Sequence, residues 1–309
     1  MTTELIAAVD LGSNSFRLQI GRIVNDQIYP LDGIKQPVRL AAGLSPDRRL
    51  DDEAQERALI ALQRFGERLS GFTPDAVRAV ATNTLRVAKN ASQFLVRAER
   101  ALGFPIEVIA GREEARLIYV GVAHNLPDPH KQQLIVDIGG GSTEFAVGGT
   151  ELEGAVSVDM GCVRLTEKYL HGDPPRPEEL ANALSIVGQH LADVQRLLPS
   201  VGAPSRFIGL AGTVTNVAAV EIGLATYDPE VIHHFVLSRD AVEDVFRTLA
   251  TEAWADRIHN PGLERERADV IVGGCCVLVQ IFRTFGFDEC LVSESDILDG
   301  LAASLLGAG

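Results

Sequence analysis

Two short stretches of this sequence repeat one pattern: Val9-Asp10-Leu11-Gly12-Ser13-Asn14-Ser15 and Val136-Asp137-Ile138-Gly139-Gly140-Gly141-Ser142. In each, an aspartate closes an apolar run and a glycine follows two residues later. Glycine lets the backbone turn tightly and approach a ligand closely. Successive N–H groups in such a turn make a nest for an anion. An aspartate at a strand end can hold a divalent cation, directly or through water, and Mg2+ commonly bridges one or two carboxylates and substrate phosphates. Each stretch therefore offers phosphate donors, with Asp10 and Asp137 as metal contacts. One copy alone could be an ordinary hairpin turn; two copies in matching positions favour phosphate chemistry.

Three further places could join in. Gly209-Leu210-Ala211-Gly212-Thr213-Val214-Thr215 lies between a strand-like and a helix-like segment. The start of a helix has free N–H groups and a positive dipole end, which suit phosphate. The plain alternative is a strand-to-helix turn with Thr213 as its N-cap. Arg86 follows a strand and could clamp a phosphate, or be a surface arginine. Gly111-Arg112-Glu113-Glu114-Ala115-Arg116 opens a helix with two carboxylates, which ordinary dipole complementation would also produce. Spacing separates the two acids. Glu113 is three residues from Arg116, on a polar side where a pair is natural. Glu114 shares a face with Leu117, Ile118 and Gly121. A carboxylate on an apolar face needs a reason, and a general base is one.

The elements that must position these residues follow from periodicity. Apolar runs at 4–10, 16–23, 76–81 and 106–109 predict strands, and again at 133–137, 143–147, 154–159 and 206–210. Helices are predicted over 52–70, 91–102 with a stop at Gly103, and from Gly111 to about Ala123. Others are predicted at 162–170, 177–198 and from Thr213. His233 and His234 fall in a predicted strand, where their side chains would point to opposite faces. Pro127, Asp128 and Pro129 mark the best break, giving domains over 1–125 and 126–309. Strands alternating with helices predict an α/β fold. The repeat on either side of the break predicts two copies of one domain.

Composition narrows the function. The chain has 309 residues, 46% hydrophobic and 23% charged, with a net charge of −14. That balance suits two globular domains with real cores. It argues against nucleic acid as a partner, which needs a basic face. An anionic small substrate stays compatible, because a cleft can be locally positive on an acidic protein. Cys162, Cys275, Cys276 and Cys290 contain no CxxC pair and read as buried free thiols. No signal-like start and no bilayer-length apolar stretch is present, so a cytoplasmic protein with no membrane partner is expected. No His/Cys/Asp set has zinc spacing. Neither a Walker A nor a GxSxG pattern occurs.

Taken in order, VDLGSNSFRL, ATNTLR, GREEARLIYVGVAH, VDIGGGSTE and GLAGTVT resemble the exopolyphosphatase and guanosine pentaphosphate phosphatase family. That family belongs to the superfamily of actin, heat-shock chaperones and sugar kinases. The resemblance runs from about Leu5 to Leu306. It implies two actin-like (ribonuclease H-like) domains, each a mixed sheet flanked by helices, with a cleft between them. It implies that Glu114 is the catalytic glutamate, which activates water. Asp137, Gly139, Gly140, Gly141, Ser142 and Glu144 match the second phosphate and metal loop. Ser13 and Asn14 match the first loop, with Asp10 beside them. Arg86 matches a phosphate-contacting arginine, and Gly212 and Thr213 match the third glycine turn. Two departures stand out. Larger members carry a further helical domain that this sequence lacks, which implies a weaker hold on very long chains. At Leu298 the family pattern has an arginine, so one cationic contact is expected to be missing.

The expected activity is a phosphoanhydride hydrolase, an exopolyphosphatase that releases terminal orthophosphate from inorganic polyphosphate. Mg2+ is the expected cofactor, held by Asp10, Asp137 and Glu144. The expected partners are the substrate and a second copy of the chain, as a homodimer. The alternative substrate is guanosine pentaphosphate, cut at its 5′ γ-phosphate. An ATP-dependent kinase of the same superfamily is a rival class that the double-glutamate helix speaks against. A non-catalytic sensor of polyphosphate or nucleotide is another, disfavoured by Glu114 occurring with both loops.

Overall fold

The computed structural model describes residues 4–25, 27–123, 131–202, 204 and 206–306. The strands are β1 (Glu4–Leu11), β2 (Ser15–Val24), β3 (Gln27–Pro37), β4 (Val77–Ala81), β5 (Glu107–Val108), β6 (Gln133–Ile138), β7 (Thr143–Gly148), β8 (Leu152–Val158), β9 (Arg206–Leu210), β10 (Val236–Ser238) and β11 (Glu289–Val292). The helices are α1 (Asp52–Arg68), α2 (Asn83–Val87), α3 (Ala91–Leu102), α4 (Gly111–Ala123), α5 (Cys162–Tyr169), α6 (Pro177–Leu197), α7 (Ala211–Ile222), α8 (Pro229–Ile232), α9 (Arg239–Thr251), α10 (Trp254–Arg257), α11 (Ile271–Phe285) and α12 (Ile297–Leu305). The chain forms two units: Met1–His124 with Asp296–Gly309, and Asn125–Ser295.

This partition differs from the 126–309 expected for the second domain. The final segment returns to the first unit because its contacts lie there. Asp296 pairs with Arg17 of β2, and α12 packs on α4 and β1. The packing is close enough to need glycine on both helices. A Cβ on Gly121 would lie 2.2 Å from the Asp296 carbonyl oxygen, and one on Gly300 1.9 Å from that of Leu117. The expected break at Pro127–Pro129 lies outside the described residues.

In the first unit the sheet order is β3-β2-β1-β4-β5. β1, β2 and β3 form an antiparallel meander, and β4 and β5 run parallel to β1. Its core includes Val9, Leu11, Phe16, Leu18, Leu62, Phe65 and Phe94. α1 starts where Asp51 caps it, accepting from the Ala54 N–H at 2.7 Å. That bond satisfies one of the donors a helix start leaves open. Leu59, Leu62 and Phe65 recur at helical spacing and are buried. α3 stops at Gly103, which takes φ 84, a left-handed conformation that glycine adopts without a Cβ penalty.

In the second unit the order is β10-β11-β9-β6-β7-β8. β6, β7 and β8 repeat the antiparallel meander, and β9 and β11 run parallel to β6 as β4 and β5 do to β1. β10 is an added antiparallel edge. Every residue of β6 and β7 is buried, as central strands covered on both faces require. Each unit is thus a mixed sheet flanked by helices, with the same meander and parallel strands in both. No described helix is long and apolar enough to cross a membrane. His233 and His234 depart from expectation. They precede β10, and their rings stack at 3.8 Å between centroids. His234 takes φ 68, which breaks the alternation that would have sent the two rings to opposite faces.

Candidate active site

The repeat extends beyond the loops into strand register. Asp10 on β1 lies opposite Arg17 on β2, and Asp137 on β6 lies opposite Glu144 on β7. The hairpins are the same; the cross-strand partner changes from a cation to an acid. Directly opposed residues have Cβ atoms close enough to interact strongly, so this one position gives the two hairpins different chemistry.

In the first unit, Arg17 Nη2 donates to Asp10 Oδ2 at 2.9 Å, and Arg17 Nη1 pairs with Asp296. Asp10 is only 5% exposed, and its Oδ1 has no partner among the described residues. Burial pushes the Asp10 carboxyl above its ordinary range, while Arg17 pulls it back. The loop that follows is held from behind. The Ser13 carbonyl accepts from Ala41 N–H, and the Asn14 carbonyl accepts from Val38 and Arg39 N–H. The amides of Ser13 and Asn14 have no partner among the described residues. Ser13 Oγ meets Thr84 Oγ1 at 2.7 Å, which ties the loop to α2, a short helix not foreseen from the sequence.

Glu114 and Arg86, both predicted site residues, are in direct contact. Arg86 Nη1 lies 3.1 Å from Glu114 Oε2 and also donates to the Ile109 carbonyl at 3.0 Å. Glu114 is buried on the α4 face that carries Leu117, Ile118 and Gly121. Glu113 turns the other way and forms two bonds to Arg116, at 2.8 and 2.9 Å. That arginine holds its carboxyl below the usual range. The spacing argument for the two acids thus matches their observed surroundings.

In the second unit, the loop Gly139–Ser142 closes with Gly139 N–H donating to the Ser142 carbonyl at 3.0 Å. The carbonyls of Gly139 and Gly140 accept from the first amides of α5, from Cys162, Val163 and Arg164. The N–H groups of Gly140 and Gly141 have no partner among the described residues. Both loops therefore have carbonyls engaged at the back and amides left to face an anion. Gly161 makes the α5 docking possible, since a Cβ there would lie 2.3 Å from the Gly140 carbonyl oxygen. Asp137, Ser142 and Glu144 are buried, and Ser157 Oγ donates to Glu144 Oε1 at 2.7 Å.

Gly212 and Thr213 lie in the first turn of α7, which starts at Ala211 with Leu210 as N-cap. Thr213 is therefore inside the helix, not its cap, and is 1% exposed. Ala211 takes φ 64, a conformation unusual without glycine. Over Gly212 lies Arg267: a Cβ on the glycine would fall 1.8 Å from the guanidinium carbon. Arg267 pairs with Glu264 at 3.3 Å, and Glu264 accepts from Asn216 Nδ2 at 3.0 Å. Arg267 and Glu264 carried no signal in the sequence. Arg17 did: extending the repeat seven residues past each aspartate pairs it with Glu144. At Leu298, where the family pattern has arginine, the N–H donates to Asp296 Oδ1 at 2.8 Å as part of the α12 cap.

The acid pair Asp137 and Glu144 is a donor set that fits Mg2+, a hard cation that takes one or two carboxylates and completes its shell with water and phosphate. Among the described residues no group of three or more His, Cys, Asp or Glu side chains is arranged around a common metal position. Asp10 fits less well, since Arg17 already balances its charge.

Solved structures resemble nearly the whole chain. An exopolyphosphatase-like protein superposes with a TM-score of 0.93 at 32% identity, covering 98% of each chain. The Aquifex aeolicus PPX-GPPA enzyme does so with a TM-score of 0.82 at 30% identity, over 98% of this chain and 99% of its own. An exopolyphosphatase from Cytophaga hutchinsonii ATCC 33406 gives a TM-score of 0.90 at 27% identity, over 99% of both. The model of the Ppx/GppA phosphatase family matches residues 19–308. The chain belongs to the Ppx/GppA phosphatase family.

Proposed function

We propose that this protein is an exopolyphosphatase that removes terminal orthophosphate from inorganic polyphosphate. The observation that carries the reading is Glu114, a buried carboxylate on an apolar helix face with the Arg86 cation 3.1 Å away. The ion pair accounts for the burial of the acid, and a carboxylate held in this way is suited to water activation. In the first unit the amides of Ser13 and Asn14, and in the second those of Gly140 and Gly141 with Ser142 and the α7 turn at Gly212 and Thr213, are the proposed donors to phosphate oxygens. Arg86 contributes a cationic contact. Glu114 accepts a proton from water as the water oxygen bonds to the terminal phosphorus in line with the leaving oxygen. The bond to the bridging oxygen breaks, and a chain one phosphate shorter leaves with orthophosphate. Mg2+ held by Asp137 and Glu144, with Asp10 as a further candidate, would supply charge neutralisation to the phosphates. Such transfer depends mainly on positioning and charge, so no covalent enzyme intermediate is needed.

Release of phosphate measured separately from polyphosphate, guanosine pentaphosphate and ATP tests the reading. Polyphosphate is expected to give the highest kcat/KM. Preference for guanosine pentaphosphate would transfer the assignment to the 5′-phosphohydrolase alternative, and absence of release from all three would leave the sensor. Glu114→Gln is expected to lower kcat about 10²–10⁴-fold, the range for loss of a general base. Glu113→Gln is expected to leave it nearly unchanged, and the opposite ranking would place the base on the wrong carboxylate.

A further inference from the structure

We propose that Arg86 positions the Glu114 carboxylate with one nitrogen and keeps the rest of its guanidinium for the phosphate, so that a single side chain couples substrate grip to base alignment. This rests on the phosphatase reading above and deepens it. Nη1 carries two N–H groups, and the structure gives them two acceptors, Glu114 Oε2 and the Ile109 carbonyl. Nε and Nη2 have no partner among the described residues. The side chain is 24% exposed, so it is not sealed into the core. A guanidinium edge with two parallel donors suits two phosphate oxygens.

The placement of Arg86 adds to the case. Ile109 lies two residues before α4, so the Nη1 contacts fix both the carboxylate and the entry to its helix. Ile109 N–H in turn donates to the Ala81 carbonyl at the end of β4. Arg86 itself stands on α2, which Thr84 ties to Ser13 of the first loop at 2.7 Å. One five-residue helix thus connects loop, clamp and base. Lysine cannot copy this arrangement, because its ammonium is a point charge on a flexible stem without a planar fork.

The test is a double-mutant cycle with Arg86→Lys, Glu114→Gln and the pair, reading kcat and KM separately and recording a melting curve for each protein. The proposal expects Arg86→Lys to lower kcat about 10–100-fold where Glu114 is present, since a misplacement of about 1 Å can cost 10²-fold. In the Glu114→Gln background it expects no further loss of kcat, while KM rises by a similar factor in both. A side chain that only grips phosphate would instead lower kcat equally in both backgrounds or leave it unchanged, and either result overturns the proposal. Should Arg86→Lys melt early, Arg86→Gln goes through the same cycle under the same rule. Wild-type protein that releases no phosphate overturns the phosphatase reading and this inference with it, whereas an active wild type with an additive cycle removes only the inference.

Discussion

Replacing Gly300 by alanine pits two effects of opposite sign against each other. Inside an exposed helix, alanine is favoured over glycine by about 0.8–1 kcal/mol. At Gly300 the new Cβ would stand 1.9 Å from the Leu117 carbonyl oxygen. Carbon and carbonyl oxygen approach to about 3.3 Å at closest, so α12 must retreat from α4 by more than ~1 Å. Backbone atoms on both sides leave no flexible side chain to swing away. A gap of about 0.5–1 Å already forfeits a quarter to a half of the dispersion well for the atoms lining it, and overpacking typically costs about 1–3 kcal/mol. With the upper end of that range, the net loss is about 2 kcal/mol after the helix gain. For a unit of this size that corresponds to a fall of roughly 5–10 °C in Tm. The matched control is Gly188→Ala in α6, where the nearest atom is the tip of the Gln280 side chain at 3.3 Å. There the helix gain dominates, and stability is expected to rise by up to about 1 kcal/mol. Calorimetry of both variants beside the wild type is the measurement. A Gly300→Ala protein that melts at or above the wild type would refute the packing argument.

Other outcomes are equally open to measurement. Excess chelator is expected to abolish turnover and added Mg2+ to restore it, with Asp137→Asn and Glu144→Gln raising the Mg2+ concentration required; full activity in chelator would remove the metal from the mechanism. Burial and the neighbouring Asp296 push the Asp299 carboxyl up to about 6 from an ordinary 3.8. The folded state then holds this proton more tightly than the unfolded chain, so the contribution is complete below pH 3.8 and is lost as pH rises to about 6. Asp299→Asn should therefore gain stability relative to wild type across that window, and a constant difference would contradict it. All four cysteines are buried free thiols, and burial raises Cys162, Cys275 and Cys290 and pushes Cys276 up to about 12. An aromatic disulfide reagent at neutral pH should find none of them reactive until the protein is denatured.

The parts of the site that were legible in the sequence obey local rules. Strand-loop-strand copies announce themselves because glycine and aspartate recur at fixed offsets, and the burial of Glu114 follows from helical spacing against Leu117 and Ile118. The elements at 91–102 and 206–210 were readable for the same reason, bounded as they are by a left-handed glycine or filled by a continuous apolar run. What was not legible depends on distant contacts. Arg267 reaches Gly212 only through tertiary packing. The Arg86–Glu114 pair joins two segments that were each given a separate role. The return of Asp296–Gly309 to the first unit is set by Arg17 and by two facing glycines, and neither glycine stands out among the chain's 29. His233 and His234 were misplaced because one positive φ cancels the strand alternation on which the expectation relied.

That return has a consequence for how the protein is made. Asn125–Ser295 is a continuous segment, synthesised in full before α12. The first unit begins earlier in the chain yet cannot be completed until α12 has been synthesised. Domains commonly fold in N-to-C order during translation, at about 5–20 residues per second. Here that order is inverted for the final step: the unit started first is finished last. During the interval Arg17 lacks Asp296, and the face of α4 around Leu117 and Gly121 lacks its cover. That helix face, on the same helix as Glu114, gains its cover only with the last residues of the chain.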